Sequence, residues 1–352
     1  MTLLFVLLGF LCALPLVGLM YQVAGSRKDA RRYPPPGKLT DVGGHRLHVH
    51  FSGAGSQVAV LEAGIAGSTI SWELVRREAE SFVTVVSYDR AGLGWSDAAD
   101  EPRTIENTVV DLKRLLDAEG IARPILVGHS FGGLAVLEYA CKHREELAGL
   151  VLVDPLPASE WCPVAPEEAA RLRRGIALAR RGAWLARFGV VRASLDLLQA
   201  GSRRVPRLAA RVSGQNAGAK LMDRLAGEVK KLPRELWPLV QTHWSQSKSF
   251  RSMVSHLESL PGSASACSVD VSLGDLPIVV LSAADSTPSR LEEHRRMAAR
   301  STRGEMLVVE NSGHWIQLDR PDLVVDAIRK VAAISSSGRT LPPPPPHPSA
   351  YP

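Results

Sequence analysis

The segment Gly128-His129-Ser130-Phe131-Gly132-Gly133 sets a serine between glycines two positions to either side. Side-chain bulk is excluded at such positions when a serine is held on a strained turn where strand and helix backbones crowd. The flanks supply both elements: residues 125–127 are a solid apolar run, and Phe131–His143 reads as a helix. Ser130 is therefore the expected nucleophile, with a phosphate-binding or merely structural turn as the bland alternative. A serine hydroxyl attacks poorly unless a base takes its proton and donors hold the oxyanion. His314, in Asn311-Ser312-Gly313-His314-Trp315, is the expected base, because small residues there let the chain turn over the end of an apolar run. Asp285, just past the run 278–281, is the expected acid. Asp154 is its rival, at the end of the run 150–153, where its competing role is to fix the entry of the next segment. Phe131, directly after the serine, offers one oxyanion N–H at the start of its helix. The loop Glu62-Ala63-Gly64-Ile65-Ala66-Gly67-Ser68 offers the second, with Ile65 as the expected donor. His129 neighbours the serine and is expected to point elsewhere. Of His45, His48 and His50, only His48 and His50 share a strand face, so no metal site is expected there.

The elements that must position these groups alternate along the chain. Residues 47–51, 58–61, 83–88, 125–127, 150–153, 278–281 and 306–309 read as strands, several of them unbroken Val, Ile and Leu, as for strands covered on both faces. Residues 72–81, 105–119, Phe131–His143, 290–300 and 321–333 read as helices. That alternation predicts an α/β protein with a mostly parallel, doubly wound sheet. Core segments are expected at 38–156 and 266–335. Between them, 157–265 shows helical stretches and no convincing strand, which predicts a helical cap over the sheet's carboxyl edge. The cap segment holds eighteen Lys and Arg against eight Asp and Glu, while the whole chain has a formal charge of only +6. The surplus belongs to the cap, and the rest is slightly acidic. A basic cap could attract an anionic substrate or lipid headgroup; a solvated basic face is the plainer reading. Trp161, Trp184, Trp237 and Trp244 either line a pocket or form the cap's own core.

The two ends differ from this middle. Residues 1–24 lack charge and are nearly all apolar, a length that can cross a bilayer core of roughly 30 Å. A single-pass membrane anchor is expected, with a cleaved signal peptide and secretion as the alternative, since Val23-Ala24-Gly25 resembles a cleavage site. Residues 25–37 read as a basic, proline-rich linker, and residues 336–352 as a disordered proline-rich tail. Arg27, Lys28, Arg31 and Arg32 favour a cytoplasmic carboxyl side but leave the side of the membrane open. The chain has 352 residues, 45% of them hydrophobic and 22% charged, which is ordinary for a globular protein. No zinc-finger spacing or basic stripe with interleaved aromatics points to nucleic acid. Its four cysteines fit neither a metal site nor a dense disulfide framework; Cys162 and Cys267 could pair, but free thiols are the simpler expectation.

Leu61-Glu62-Ala63-Gly64, the segment Ser87-Tyr88-Asp89-Arg90-Ala91-Gly92-Leu93-Gly94-Trp95-Ser96-Asp97, the Ser130 turn and Asn311–His314 occur in an order that resembles the α/β-hydrolase superfamily, of the capped, esterase-like kind. The resemblance spans roughly residues 37–335. It implies the chain order serine, acid, histidine, and it makes Asp89 and Arg90 scaffold beside the site. Ala63 stands where such proteins usually carry a histidine, which leaves the backbone donor but changes its support. Members resembling epoxide hydrolases or haloalkane dehalogenases have aspartate where Ser130 stands, so an acyl-serine intermediate is implied here. The expected activity is hydrolysis of an acyl bond, a carboxylic ester in the simplest case, on a small-molecule or lipid acyl substrate without metal or organic cofactor. A membrane-associated acyltransferase and a non-catalytic binding protein are the alternatives. Oligomeric state stays open.

Overall fold

The computed structural model describes residues 2–199, 227–268 and 270–336. Helix α1 (Thr2–Arg32) is followed by strands β1 (Lys38–Asp41), β2 (Arg46–Ser52) and β3 (Val58–Glu62). Next come α2 (Glu73–Ala79), β4 (Thr84–Tyr88), α3 (Ile105–Ala118), β5 (Ile125–His129), α4 (Phe131–His143) and β6 (Gly149–Val153). Helices α5 (Pro166–Arg187), α6 (Val190–Gln199), α7 (Trp237–Trp244) and α8 (Ser247–Ala266) form the cap. The chain then returns through β7 (Ile278–Ala283), α9 (Pro288–Ala299), β8 (Gly304–Val309), α10 (Ile316–Asp319) and α11 (Pro321–Ser336).

Eight strands form one sheet in the order β1-β2-β4-β3-β5-β6-β7-β8. The pairings β1–β2 and β2–β4 are antiparallel, and every pairing from β4 through β8 is parallel. Alternate strand residues face opposite layers. Val60, Val86, Leu126, Leu150, Leu152 and Val280 pack with α3, α4 and α9 on one side. Leu61, Val85, Val127, Val151, Val153 and Leu281 pack with α2 and α11 on the other. This is the α/β arrangement with a helical cap that the alternation of runs predicts, with β1 added at the edge.

The strand order decides where chemistry can occur. Strand β5 lies between β3 and β6, with Glu62 opposite Gly128 and His129 opposite Val153. The loops leaving β3 and β6 therefore emerge on either side of Ser130, at the carboxyl edge where such sheets bind ligands. The cap's α8 docks beside that edge through hydroxyl groups. Ser252 donates to the Ala91 carbonyl at 2.8 Å, and the Ser255 hydroxyl accepts from the Arg103 N–H at 2.9 Å.

The amino-terminal expectation is corrected. Among the described residues no helix is long and apolar enough to cross a membrane, so the single-pass anchor and the localisation built on it fall. Helix α1 does not end near residue 24 but continues through Arg27, Lys28, Arg31 and Arg32. Polar groups in its carboxyl half bind the cap. Tyr21 donates to Asp196, Gln22 donates to the Ser245 carbonyl at 3.0 Å, and buried Arg192 reaches Asp29 at 2.6 Å. Gly18 is needed for the approach, since a Cβ there would lie 2.4 Å from the Phe188 carbonyl oxygen. The supposed cleavage stretch Val23-Ala24-Gly25 sits inside this helix, with Gly25 against the Arg192 side chain. The expected proline-rich tail beyond Ser336 lies outside the described residues.

Candidate active site

Ser130 sits at φ 54°, ψ −118°, a conformation disfavoured for a residue with a side chain, between the end of β5 and the first turn of α4. The strain is maintained by close backbone packing. A Cβ on Gly128 would lie 2.5 Å from the Gly132 carbonyl oxygen, and one on Gly132 would lie 2.5 Å from those of Glu62 and Ala63. The Ser130 N–H donates to Val153 at 3.0 Å, and its carbonyl accepts from the Leu156 N–H at 2.9 Å, so both neighbouring loops grip the turn.

Ser130 Oγ lies 3.0 Å from His314 Nε2, and His314 Nδ1 lies 2.6 Å from Asp154 Oδ2. Both distances are within hydrogen-bond range. Asp154 is buried, while Ser130 and His314 are half-buried. The Asp154 carboxylate also accepts from the Ala283 N–H at 3.1 Å and the Ser286 hydroxyl at 3.3 Å. Burial alone favours its neutral form, but the hydrogen bond and charge of His314, with the Ala283 N–H, outweigh burial and hold the carboxyl below the usual range.

The acid expected from the sequence is not the residue beside the imidazole. Asp285 is exposed in the turn after β7 and makes no hydrogen bond to His314, whose Nδ1 belongs to Asp154. The physical reason is the turn at the end of β6, where Asp154 takes φ 41° and directs its carboxylate across β7 toward the histidine loop. Asp154 thus has the position that the sequence offered to it as rival, and the Ala283 N–H that caps it comes from the end of β7 itself.

The loop after β3 is pressed against Ser130: a Cβ on Gly64 would lie 3.4 Å from Ser130 Cβ. Neither the Ile65 N–H nor the Phe131 N–H has a hydrogen-bond partner among the described residues. Arg90 supplies the loop's support where Ala63 stands, donating to the Ala63 and Gly64 carbonyls at 2.5 Å each. Its guanidinium also pairs with buried Glu62, which accepts from the Tyr88 hydroxyl. Burial pushes the Glu62 carboxyl up to about 7 against the pull of Arg90. Asp89 anchors the next turn by accepting from the Thr69 N–H at 2.8 Å, and it pairs with buried His48 at 2.9 Å. Asp89 and Arg90 thus bind backbone beside Ser130, where the resemblance implies scaffold. His45 pairs instead with Asp111 at 3.2 Å, and among the described residues no His, Cys, Asp and Glu group could hold a metal ion.

Sequence reasoning missed three supports of the histidine loop. Asp319 accepts from the Gly313 N–H at 3.0 Å and pairs with Lys231 of the cap at 2.5 Å. Trp315 joins Ile70, Leu232, Leu318 and Trp237 in an apolar cluster that binds the cap to the site's rim. His129, expected to point away from Ser130, reaches the His314 carbonyl. The contacts of His129 with the His314 carbonyl and of Asp319 and Trp315 with the cap join residues far apart in the chain, so no short-range pattern could have revealed them, whereas the Asp319–Gly313 bond spans only six residues. The other cap tryptophans serve differently: Trp244 packs on Phe250, Trp161 packs on the core, and Trp184 is largely exposed. Cys141, Cys162 and Cys267 are free thiols.

This arrangement is that of an α/β fold with a strained serine turn at the carboxyl edge of its parallel sheet. A family model described as "Alpha/beta hydrolase family" matches residues 49–327, and the chain belongs to that family. It is 32% identical over 120 residues to the uncharacterized protein YqjL of Bacillus subtilis, covering 34% of this chain and 47% of that one. It is 36% identical over 112 residues to the putative carbamate hydrolase RutD of Caulobacter vibrioides, covering 31% and 42%. The chain thus spans less than half the length of these curated relatives. A solved structure described as a putative epoxide hydrolase mutant from Pseudomonas aeruginosa superposes with a TM-score of 0.64 at 17% identity, covering 85% of this chain and 96% of that one. That likeness concerns the fold.

Proposed function

We propose that the chain is a serine hydrolase that cleaves an acyl bond, a carboxylic ester in the simplest case, through an acyl-Ser130 intermediate. The observation that carries this reading is the continuous hydrogen-bonded line from Ser130 Oγ through His314 to buried Asp154. His314 Nε2 takes the hydroxyl proton as Oγ attacks the acyl carbonyl. Asp154 holds the Nδ1–H tautomer and stabilises the imidazolium. The N–H groups of Ile65 and Phe131 receive the oxyanion, and the Arg90 clamp on Ala63 and Gly64 keeps the first of them in place. Collapse expels the alcohol, which takes the proton from His314. Water then enters, gives a proton to the same nitrogen and attacks the acyl carbon, and the carboxylic acid leaves as His314 returns that proton to Ser130 Oγ.

Family membership and the hydrolase named among the relatives support this class of reaction. The ester, as against a carbamate or other acyl bond, rests on the generality of acyl-serine chemistry. The test is hydrolysis of p-nitrophenyl acetate by the wild-type chain and by Ser130→Ala. Loss of turnover in a folded variant is expected, and undiminished turnover contradicts the proposal.

A further inference from the structure

His129 is the last residue of β5, immediately before the nucleophile, and its ring is buried. Its Nε2 lies 2.8 Å from the backbone carbonyl oxygen of His314. A carbonyl only accepts, so Nε2 must carry the ring hydrogen and donate. Nδ1 is then a bare lone pair, and it faces the loop after β3: a Cβ on Gly64 would lie 2.8 Å from it. The ring also lies 4.8 Å from the His314 ring and meets Trp72 edge-on at 6.5 Å. One imidazole therefore touches the histidine loop and the oxyanion loop while being covalently fixed to the nucleophile.

We infer that His129 is a positioning residue that sets the direction of the His314 imidazole through the His314 carbonyl. The inference rests on the hydrolase reading above. The charged and titratable groups facing His129 are His314, Asp154 and Arg90. Burial, with the positive charge of His314, pushes the His129 imidazole down to about 3, so the ring stays neutral wherever His314 works as a base. A neutral donor can hold the carbonyl without placing a second cation beside the imidazolium formed during the reaction. The loop's other anchors act elsewhere, Asp319 on the preceding Gly313 N–H and Asp154 on the ring. Without His129, nothing among the described side chains holds the carbonyl, and the ring's direction rests on its bonds to Asp154 and Ser130 alone.

The test compares His129→Phe, which keeps the ring's bulk and loses the donor, with His129→Gln, whose amide nitrogen reaches about as far as the imidazole Nε2. Steady-state hydrolysis of p-nitrophenyl acetate, the rate of labelling by a fluorophosphonate and the thermal melt are measured for both beside Ser130→Ala. A misplacement of about 1 Å costs on the order of 10²-fold in rate, so His129→Phe is expected to lose about that in kcat and in labelling rate with KM nearly unchanged. His129→Gln is expected to recover most of it. Wild-type kcat in His129→Phe, or equal losses in both variants that follow only their melting temperatures, overturns the inference. If His129→Phe does not fold, His129→Met gives the same comparison. An active Ser130→Ala overturns the hydrolase reading itself, whereas an inactive Ser130→Ala beside a fully active His129→Phe overturns the positioning role alone.

Discussion

Replacing Asp154 by Asn tests which carboxylate serves His314, and the structure dictates how the new amide must sit. Asp154 Oδ1 accepts from the Ala283 N–H and the Ser286 hydroxyl, so the amide oxygen is required on that side. The amide nitrogen is thereby turned to the Oδ2 position, 2.6 Å from His314 Nδ1, where it can only donate. His314 must then carry its hydrogen on Nε2, which faces Ser130 Oγ at 3.0 Å and can no longer take the serine proton. The wrong tautomer of a triad histidine costs about 10⁴-fold in kcat, about 5.4 kcal/mol of barrier. Asp285 is exposed and its replacement by Asn should leave kcat within about twofold, as for surface positions. The assay is initial-rate hydrolysis of p-nitrophenyl esters at saturating substrate, with circular dichroism to confirm folding. Near-normal turnover in Asp154→Asn, together with collapse of activity in Asp285→Asn, would refute the reasoning and restore the acid expected from the sequence.

Acidification should destabilise the fold well above the pH at which ordinary carboxylates protonate. Burial holds His129 to about 3, His243 to about 4 and His256 well below the ordinary value near 6.5. These folded-state values are depressed, as burial also depresses His50 and His294, so the unfolded chain takes up protons below pH 6.5 that the folded chain refuses. Glu62, pushed up to about 7, binds its proton in the folded state first and offsets one of them. Each net proton taken up on unfolding lowers stability by about 1.4 kcal/mol per pH unit, so stability is expected to fall as the pH drops from 7 to 5, read from urea unfolding at pH 7, 6 and 5; constant stability over that range would contradict it. Arg192→Ala should cost about 3 kcal/mol, because it strands the largely buried Asp29 and removes one of the side chains that tie helix α1 to the cap. Urea midpoints and trypsin cleavage within residues 27–32 check this, and unchanged values would show that the α1–cap contact is not stabilising.

The sheet was legible because its strands are solid apolar runs, and Ser130 because close backbone packing leaves room only for glycine at 128 and 132. Strand β1 was missed because Lys-Leu-Thr-Asp at an exposed edge has too little alternation to read. The amino-terminal run looked like an anchor because hydropathy stops at the first charges. What decides α1 is its polar pairing with Arg192 and Asp196, some 170 residues away. Asp285 was favoured over Asp154 because its strand immediately precedes the one leading to His314. That reasoning weighs chain order, while the carboxylate's direction depends on a positive φ at Asp154, which no run of residue types announces. Adjacency to Ser130 made His129 look idle, yet adjacency is what lets it tie the strand of Ser130 to the histidine loop.

The central claim is that Ser130 forms a covalent acyl intermediate with His314 as its base. Incubation with a fluorophosphonate followed by peptide mass spectrometry tests it most directly. A single adduct on Ser130 is predicted, absent from Ser130→Ala and formed far more slowly by His314→Ala. Labelling at another serine, or no labelling of the folded wild-type chain, would contradict the account.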